Sequence, residues 1–139
     1  MVKLIVGKKG KGKTKVLLDE VNDAVKSAKG SIVFLDKNTK HMFELNNRIR
    51  LIDVSRYEIK NGDQFIGFLA GIISQDNDLE KLYLDGFLKI SNLEGSDATA
   101  VIKEINELSL KFEVEVVISL SLDEDELGDE LKSMVCVSL

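Results

Sequence analysis

Short apolar runs alternate with longer stretches of helical spacing along the whole chain. Val2–Val6 is an apolar run closed by Gly7, the pattern of a buried strand. Over residues 13–28, Leu17, Leu18, Val21, Ala24, Val25 and Ala28 recur at helical spacing, and Gly30 ends the pattern. Ser31–Asp36 reads as a second buried strand and residues 50–54 as a third. The segment 37–47 between them fits either a helical turn or an irregular loop. Beyond Asn61 and Gly62, Asp63 is the expected N-cap of a helix reaching Ile73 or Gln75. Phe65, Ile66, Phe68, Leu69, Ile72 and Ile73 cover much of that helix, which predicts deep burial. Residues 81–85 form another strand, and Ser96 or Asp97 caps a helix with Val101, Ile102, Ile105 and Leu108 on one face. A strand over 113–120, an acidic short helix over 122–131 and a last strand over 134–139 complete the series.

Strands alternating with helices predict an α/β fold, a three-layer sandwich around a mostly parallel central sheet. The 139 residues suit a single domain spanning 1–139. The chain has no proline, so glycine marks most of the breaks. Hydrophobic residues make up 44% and charged residues 31%, a globular rather than disordered balance. A net charge of −5 argues against nucleic acid as a general partner. One cysteine, Cys136, excludes an internal disulfide, and with one histidine, His41, it excludes a Cys/His zinc site. Cys136 is expected to be a buried small hydrophobe. The longest apolar run, residues 65–73, is too short to span a bilayer. No leader-like segment opens the sequence, and a cytoplasmic location is expected.

The chemistry is concentrated after the first strand. Gly7, Lys8, Lys9, Gly10, Lys11, Gly12, Lys13 and Thr14 match G-x-x-x-x-G-K-[ST] at every fixed position. Glycines let successive backbone N–H groups turn inward on phosphate oxygens, and the following helix adds its positive end. Lys13 is placed to reach β- and γ-phosphates, Thr14 to ligate Mg²⁺, and Lys15 to add its N–H from the first helical turn. A shuffled chain of this composition would match in about 1 case in 100, and the strand–loop–helix context tightens that. Plainer readings are a solvated lysine-rich loop or a basic patch on nucleic-acid phosphates.

Residues 2–18 thus resemble the opening of P-loop NTPases. The element order resembles the RecA-like, additional-strand branch, and there is a looser similarity to small bacterial proteins labelled PilT-like ATP-binding proteins. The resemblance implies a P-loop NTPase fold that binds ATP, or another NTP, with Mg²⁺. It also implies a second motif, an apolar strand ending in Asp, for which Leu82-Tyr83-Leu84-Asp85 fits best. Asp36 and Asp53 end rival runs. In many members a glutamate follows that Asp and orients the attacking water, whereas this chain has Gly86. RecA-like relatives often carry the base at the end of the neighbouring strand, where Asp36 stands; capping the next turn is its plainer role. Ser119 or Ser121 could sense the γ-phosphate. Arg48, Arg50 and Arg56 are the only arginines, read as surface residues or as groups acting on a neighbouring subunit.

Four functions remain open on these residues. They are a slow ATPase or ATP-dependent switch, a non-hydrolysing module that regulates or assembles with a homo-oligomeric or other protein partner, a small-molecule kinase, and a nucleic-acid binder. The phosphate loop favours the first two. The acidic stretch 123–126 reads as a solvated face.

Overall fold

The computed structural model describes residues 1–139. Six strands form one sheet: β1 (Val2–Val6), β2 (Ser31–Asp36), β3 (Ile49–Asp53), β4 (Leu79–Leu84), β5 (Glu115–Leu120) and β6 (Val135–Ser138). Their order is β3-β2-β4-β5-β1-β6, and every pairing is parallel. The sheet is therefore parallel throughout rather than mostly so. Five helices connect the strands: α1 (Lys13–Ala24), α2 (Gly62–Ser74), α3 (Phe87–Ile90), α4 (Thr99–Phe112) and α5 (Asp129–Lys132).

Parallel neighbours need crossovers, and crossovers are right-handed. The step from β1 to β2 runs toward the β3 edge, whereas the steps from β3 to β4 and from β4 to β5 run the other way. Opposite directions put the helices on opposite faces, giving three layers. Strand alternation matches this split. On one face Ile5, Ile32, Phe34, Tyr83 and Val117 pack with Leu17, Val21 and Val25 of α1 and the turn after it. On the other, Val6, Leu35, Leu84 and Ile118 pack with Phe65 and Leu69 of α2 and with Ile102 and Ile105 of α4. Phe65 meets Phe87 edge-on, with ring centroids 5.7 Å apart.

Several boundaries move. The first helix ends at Ala24, after which Lys26 N–H and Ser27 N–H bond three residues back, to Asp23 and Ala24. The apolar spacing continues to Ala28 through this tighter turn. The N-cap of α2 is Asn61 rather than Asp63: its side chain accepts from Gln64 N–H, and Gln64 Oε1 accepts from Lys60 N–H. Glu113 does not begin a strand but ends α4 in the left-handed conformation, φ 55°. The acidic segment splits into a 3₁₀ turn at Glu124–Glu126 and α5, with Gly128 between them. Residues 42–44 form a 3₁₀ turn within the ambiguous loop. No helix is long and apolar enough to cross a membrane.

Candidate functional site

The C-terminal ends of β1, β2, β4 and β5 open onto one cavity of about 740 Å³. Crevices at this edge of a parallel sheet are where α/β folds bind ligands. Residues 7–14 wind from β1 into α1. Gly10 and Gly12 have φ of 83° and 97°, left-handed values that cost a residue with a Cβ. Gly12 is the N-cap of α1 and makes no side-chain cap, so N–H groups of the first turn remain free to meet an anion.

Lys13 opens α1 and is 7% exposed. Its Nζ donates to the Lys8 carbonyl at 3.0 Å, the ammonium's one hydrogen bond. Burial pushes its pKa below the usual lysine value; Lys37 and Lys9 push the same way, and Asp85 opposes them.

The period of two sets the other half of the site. Asp36, Asp85 and Ser119 continue the alternation of Phe34, Tyr83 and Val117, so all three face the α1 side. Thr14 Oγ1 donates to Asp85, 3.0 Å from Oδ2 and 3.3 Å from Oδ1. Ser119 Oγ donates to Asp85 Oδ1 at 2.6 Å and accepts from Gly86 N–H at 2.8 Å. Asp85, 5% exposed, is thus held by a hydroxyl from each side. Ser119 spends its single proton on Asp85, which makes it a positioning group for that carboxylate. Gly86 takes φ 62° and ψ 47°, turning the chain from β4 into α3, a helix the sequence pattern did not reveal.

Of the expected loop residues, Lys9, Gly10, Gly12, Lys13 and Thr14 line the cavity. Gly7 and Lys8 lie behind it: Gly7 N–H donates to the Leu122 carbonyl at 2.8 Å, and Lys8 pairs with Asp123 at 3.4 Å. Lys11 is exposed, and Lys15 points away to Asp19 at 3.0 Å. Asp85, Ser119 and Ser121 complete the near wall.

Asp36 lies at the end of β2, beside Asp85 but not on the cavity wall. It is 2% exposed; Oδ1 accepts from Lys37 N–H at 2.7 Å, and buried Oδ2 has no partner. Burial raises its pKa, and Asp85 adds to the rise. Asp53 is committed elsewhere, accepting from Ser55 N–H at 3.0 Å. Arg48 bonds the Val25 and Ala28 carbonyls at the end of the first helix, while Arg50 and Arg56 are exposed on the β3 side. Cys136 is exposed on edge strand β6, which corrects the expectation of a buried thiol; only alternate residues of a one-sided edge strand are covered.

Sequence reading missed the far wall, made by Lys37, Lys40, His41, Lys89 and Glu94. A signal exists for Lys37, which directly follows the end of a parallel strand. Lys89 could not be placed without α3. Glu94 meets Lys9 at 3.6 Å across the mouth of the cavity. No family model matches the chain, and no curated protein matches it at a significant level.

Proposed function

We propose that residues 7–14 hold the phosphates of a nucleoside triphosphate, ATP by default, with Mg²⁺ between Thr14 and Asp85, as a P-loop NTPase of the additional-strand kind. The observation that carries this reading is the Thr14–Asp85 contact at 3.0 Å. Two residues 71 positions apart, each the oxygen donor of its own motif, meet at the end of α1 that bears free N–H groups. Strand order adds support, because β5 lies between β1 and β4.

The donor set suits the metal. Thr14 hydroxyl and Asp85 carboxylate are hard oxygen ligands, and no cluster of three or more His, Cys, Asp or Glu side chains forms a closed cage. A cation here takes its remaining ligands from phosphate and water, the habit of Mg²⁺. A Mg²⁺ ion held by Thr14 and Asp85 would supply charge neutralisation at the phosphates. Lys13 turns from the Lys8 carbonyl to the phosphates, where an anionic partner offsets the burial of its ammonium. Ser119 keeps Asp85 oriented.

Two observations favour binding with slow or no turnover, the role of a regulatory or assembly module. Gly86 occupies the position of the water-orienting glutamate in a left-handed turn. Asp36 has one oxygen on its neighbour's N–H and the other buried off the cavity.

Thermal unfolding with ATP and GTP, with and without Mg²⁺, tests the reading. Ligand at a hundredfold excess over Kd adds about 2.7 kcal/mol. The expected result is a magnesium-enhanced rise in Tm that Lys13→Ala removes. No shift with any nucleotide contradicts it. Phosphate release from the same sample separates a slow ATPase from a non-hydrolysing module.

A further inference from the structure

A second cavity lies beside the one over the phosphate loop. Lys37 and Lys89 line the far side of the first, and the same two residues line the second, of about 410 Å³. Its other walls are Val54, Tyr57, Ile59 and Ile90, with Lys60 at the rim and Ser55 and Glu58 completing it. This volume is within the range of small-molecule sites, and its mix of apolar wall and convergent charge is typical of them.

The cations are the second observation. Eight of the chain's sixteen lysines sit within ion-pair distance of a carboxylate, and of the eight that do not, Lys13, Lys37, Lys40 and Lys89 line the first cavity. In a chain of net charge −5, Lys37 and Lys89 stand on the wall between the two cavities, and Lys40 lines the first. Lys37 lies close enough to Lys13 to disfavour its charge, and it passes over Gly86, its Cδ 3.8 Å from where a Cβ would sit. The second cavity's one carboxylate, Glu58, lies 4.0 Å from Lys60, which leaves Lys37 and Lys89 as two like charges without an ion-pair partner, an arrangement that suits an anion. A triphosphate with Mg²⁺ is served by the loop, Lys13 and the metal. It leaves Lys37 and Lys89, on the side of the second cavity, without an ion-pair partner.

We propose that the second cavity binds a small organic phosphomonoester, its phosphate among Lys37, Lys60 and Lys89 and its organic body against Tyr57, Ile59 and Ile90. A phosphomonoester carries a charge of about −1.5 to −2 at neutral pH, enough to match two lysines. A carboxylate supplies half of that. A nucleic-acid strand would need further cations, whereas the cavity's own wall carries the carboxylate of Glu58. The site adjoins the cavity proposed for the nucleotide through Lys37 and Lys89, and rests on that reading only for this adjacency.

The test uses phenyl phosphate, titrated by calorimetry into the full chain and into Lys13→Ala, which sets apart binding at the phosphate loop. A nucleotide titration on the same preparations decides the nucleotide reading independently. The expected result is phenyl phosphate binding that survives Lys13→Ala and is about tenfold tighter than that of inorganic phosphate or benzoate. Lys60→Ala and Lys89→Ala should each weaken it about fivefold or more, while circular dichroism shows them folded. The proposal is overturned if phenyl phosphate does not bind at millimolar concentration, if inorganic phosphate binds equally well, or if both lysine variants leave binding unchanged. Displacement by a single-stranded oligonucleotide with affinity that grows with strand length would likewise overturn it, in favour of a nucleic-acid groove.

Discussion

Replacing Ser119 by alanine strikes the bond that orients Asp85, and its cost follows from the structure. Ser119 is 1% exposed. The change removes the 2.6 Å bond to Asp85 Oδ1 and leaves Gly86 N–H without its 2.8 Å acceptor. A hydrogen bond to a charged group contributes about 1.5–3 kcal/mol, and an orphaned buried donor costs about 1–3 kcal/mol. Gly86 is only partly buried, so water recovers part of the second cost, and the sum is about 3 kcal/mol. For 139 residues the unfolding entropy at Tm is about 0.3 kcal/mol/K. Each kcal/mol therefore moves Tm by about 3 °C, and Ser119→Ala should lower it by about 10 °C. Ser121→Ala is the control: it lies one strand-end step on, lines the same cavity and makes no side-chain hydrogen bond, so its change should stay within about 0.5 kcal/mol. The assay is thermal unfolding followed by circular dichroism without nucleotide. A loss no larger than that of Ser121→Ala would refute the claim that Ser119 anchors Asp85.

Three further substitutions probe other features. Tyr83→Phe removes a fully buried hydroxyl with no partner, so it should be neutral or stabilise by about 1 kcal/mol in urea unfolding; a loss above about 1 kcal/mol would show a hidden partner. Asp36→Asn tests the raised pKa: a carboxyl raised in the folded state favours folding below its unfolded pKa, and that contribution disappears as pH climbs through the folded value. The variant should therefore match wild type in acid and exceed it at pH 7 in urea unfolding; an advantage that grows as pH falls would contradict the burial argument. In Gly30→Ala the new Cβ would lie 1.9 Å from the Asp78 carbonyl oxygen. That oxygen also accepts from Ser31 N–H at 2.8 Å. The clash should cost about 3 kcal/mol of stability against urea, and a loss below about 1 kcal/mol would show that the turn gives way.

The sheet, the glycine-rich turn from β1 into α1 and the strand that leads to Asp85 are legible in the sequence because each rests on local pattern. β2 is an unbroken apolar run from Ile32 to Leu35, and residues 7–14 carry their meaning in glycine and lysine spacing. What escapes is set by tertiary contact. α3 is four residues long, too short for any period, and it exists because Gly86 turns and Phe87 is fully buried against Phe65. Asn61 and Gln64 carry the three-residue spacing of a reciprocal cap, but Asp63 nearby is a capping residue by type, and only the fold separates the two. Ser119 is legible as a strand-end hydroxyl, but its partner lies on the adjacent strand, and only register brings Ile118 beside Leu84 and Ser119 beside Asp85. The lysine wall comes from two elements far apart in sequence, so the position of Lys37 after β2 hints at its own place but not at its meeting with Lys89.

Calorimetric titration of ATP with Mg²⁺ into wild type, Lys13→Ala and Asp85→Ala tests most directly whether Lys13, Thr14 and Asp85 act together on the phosphates of a nucleotide. Wild type should bind one nucleotide per chain; Lys13→Ala should lose tenfold or more in affinity, about 1.4 kcal/mol, in the presence or absence of metal. Asp85→Ala should lose chiefly the part of the affinity that Mg²⁺ adds. Equal affinity in all three proteins, or no binding to wild type, would contradict the account.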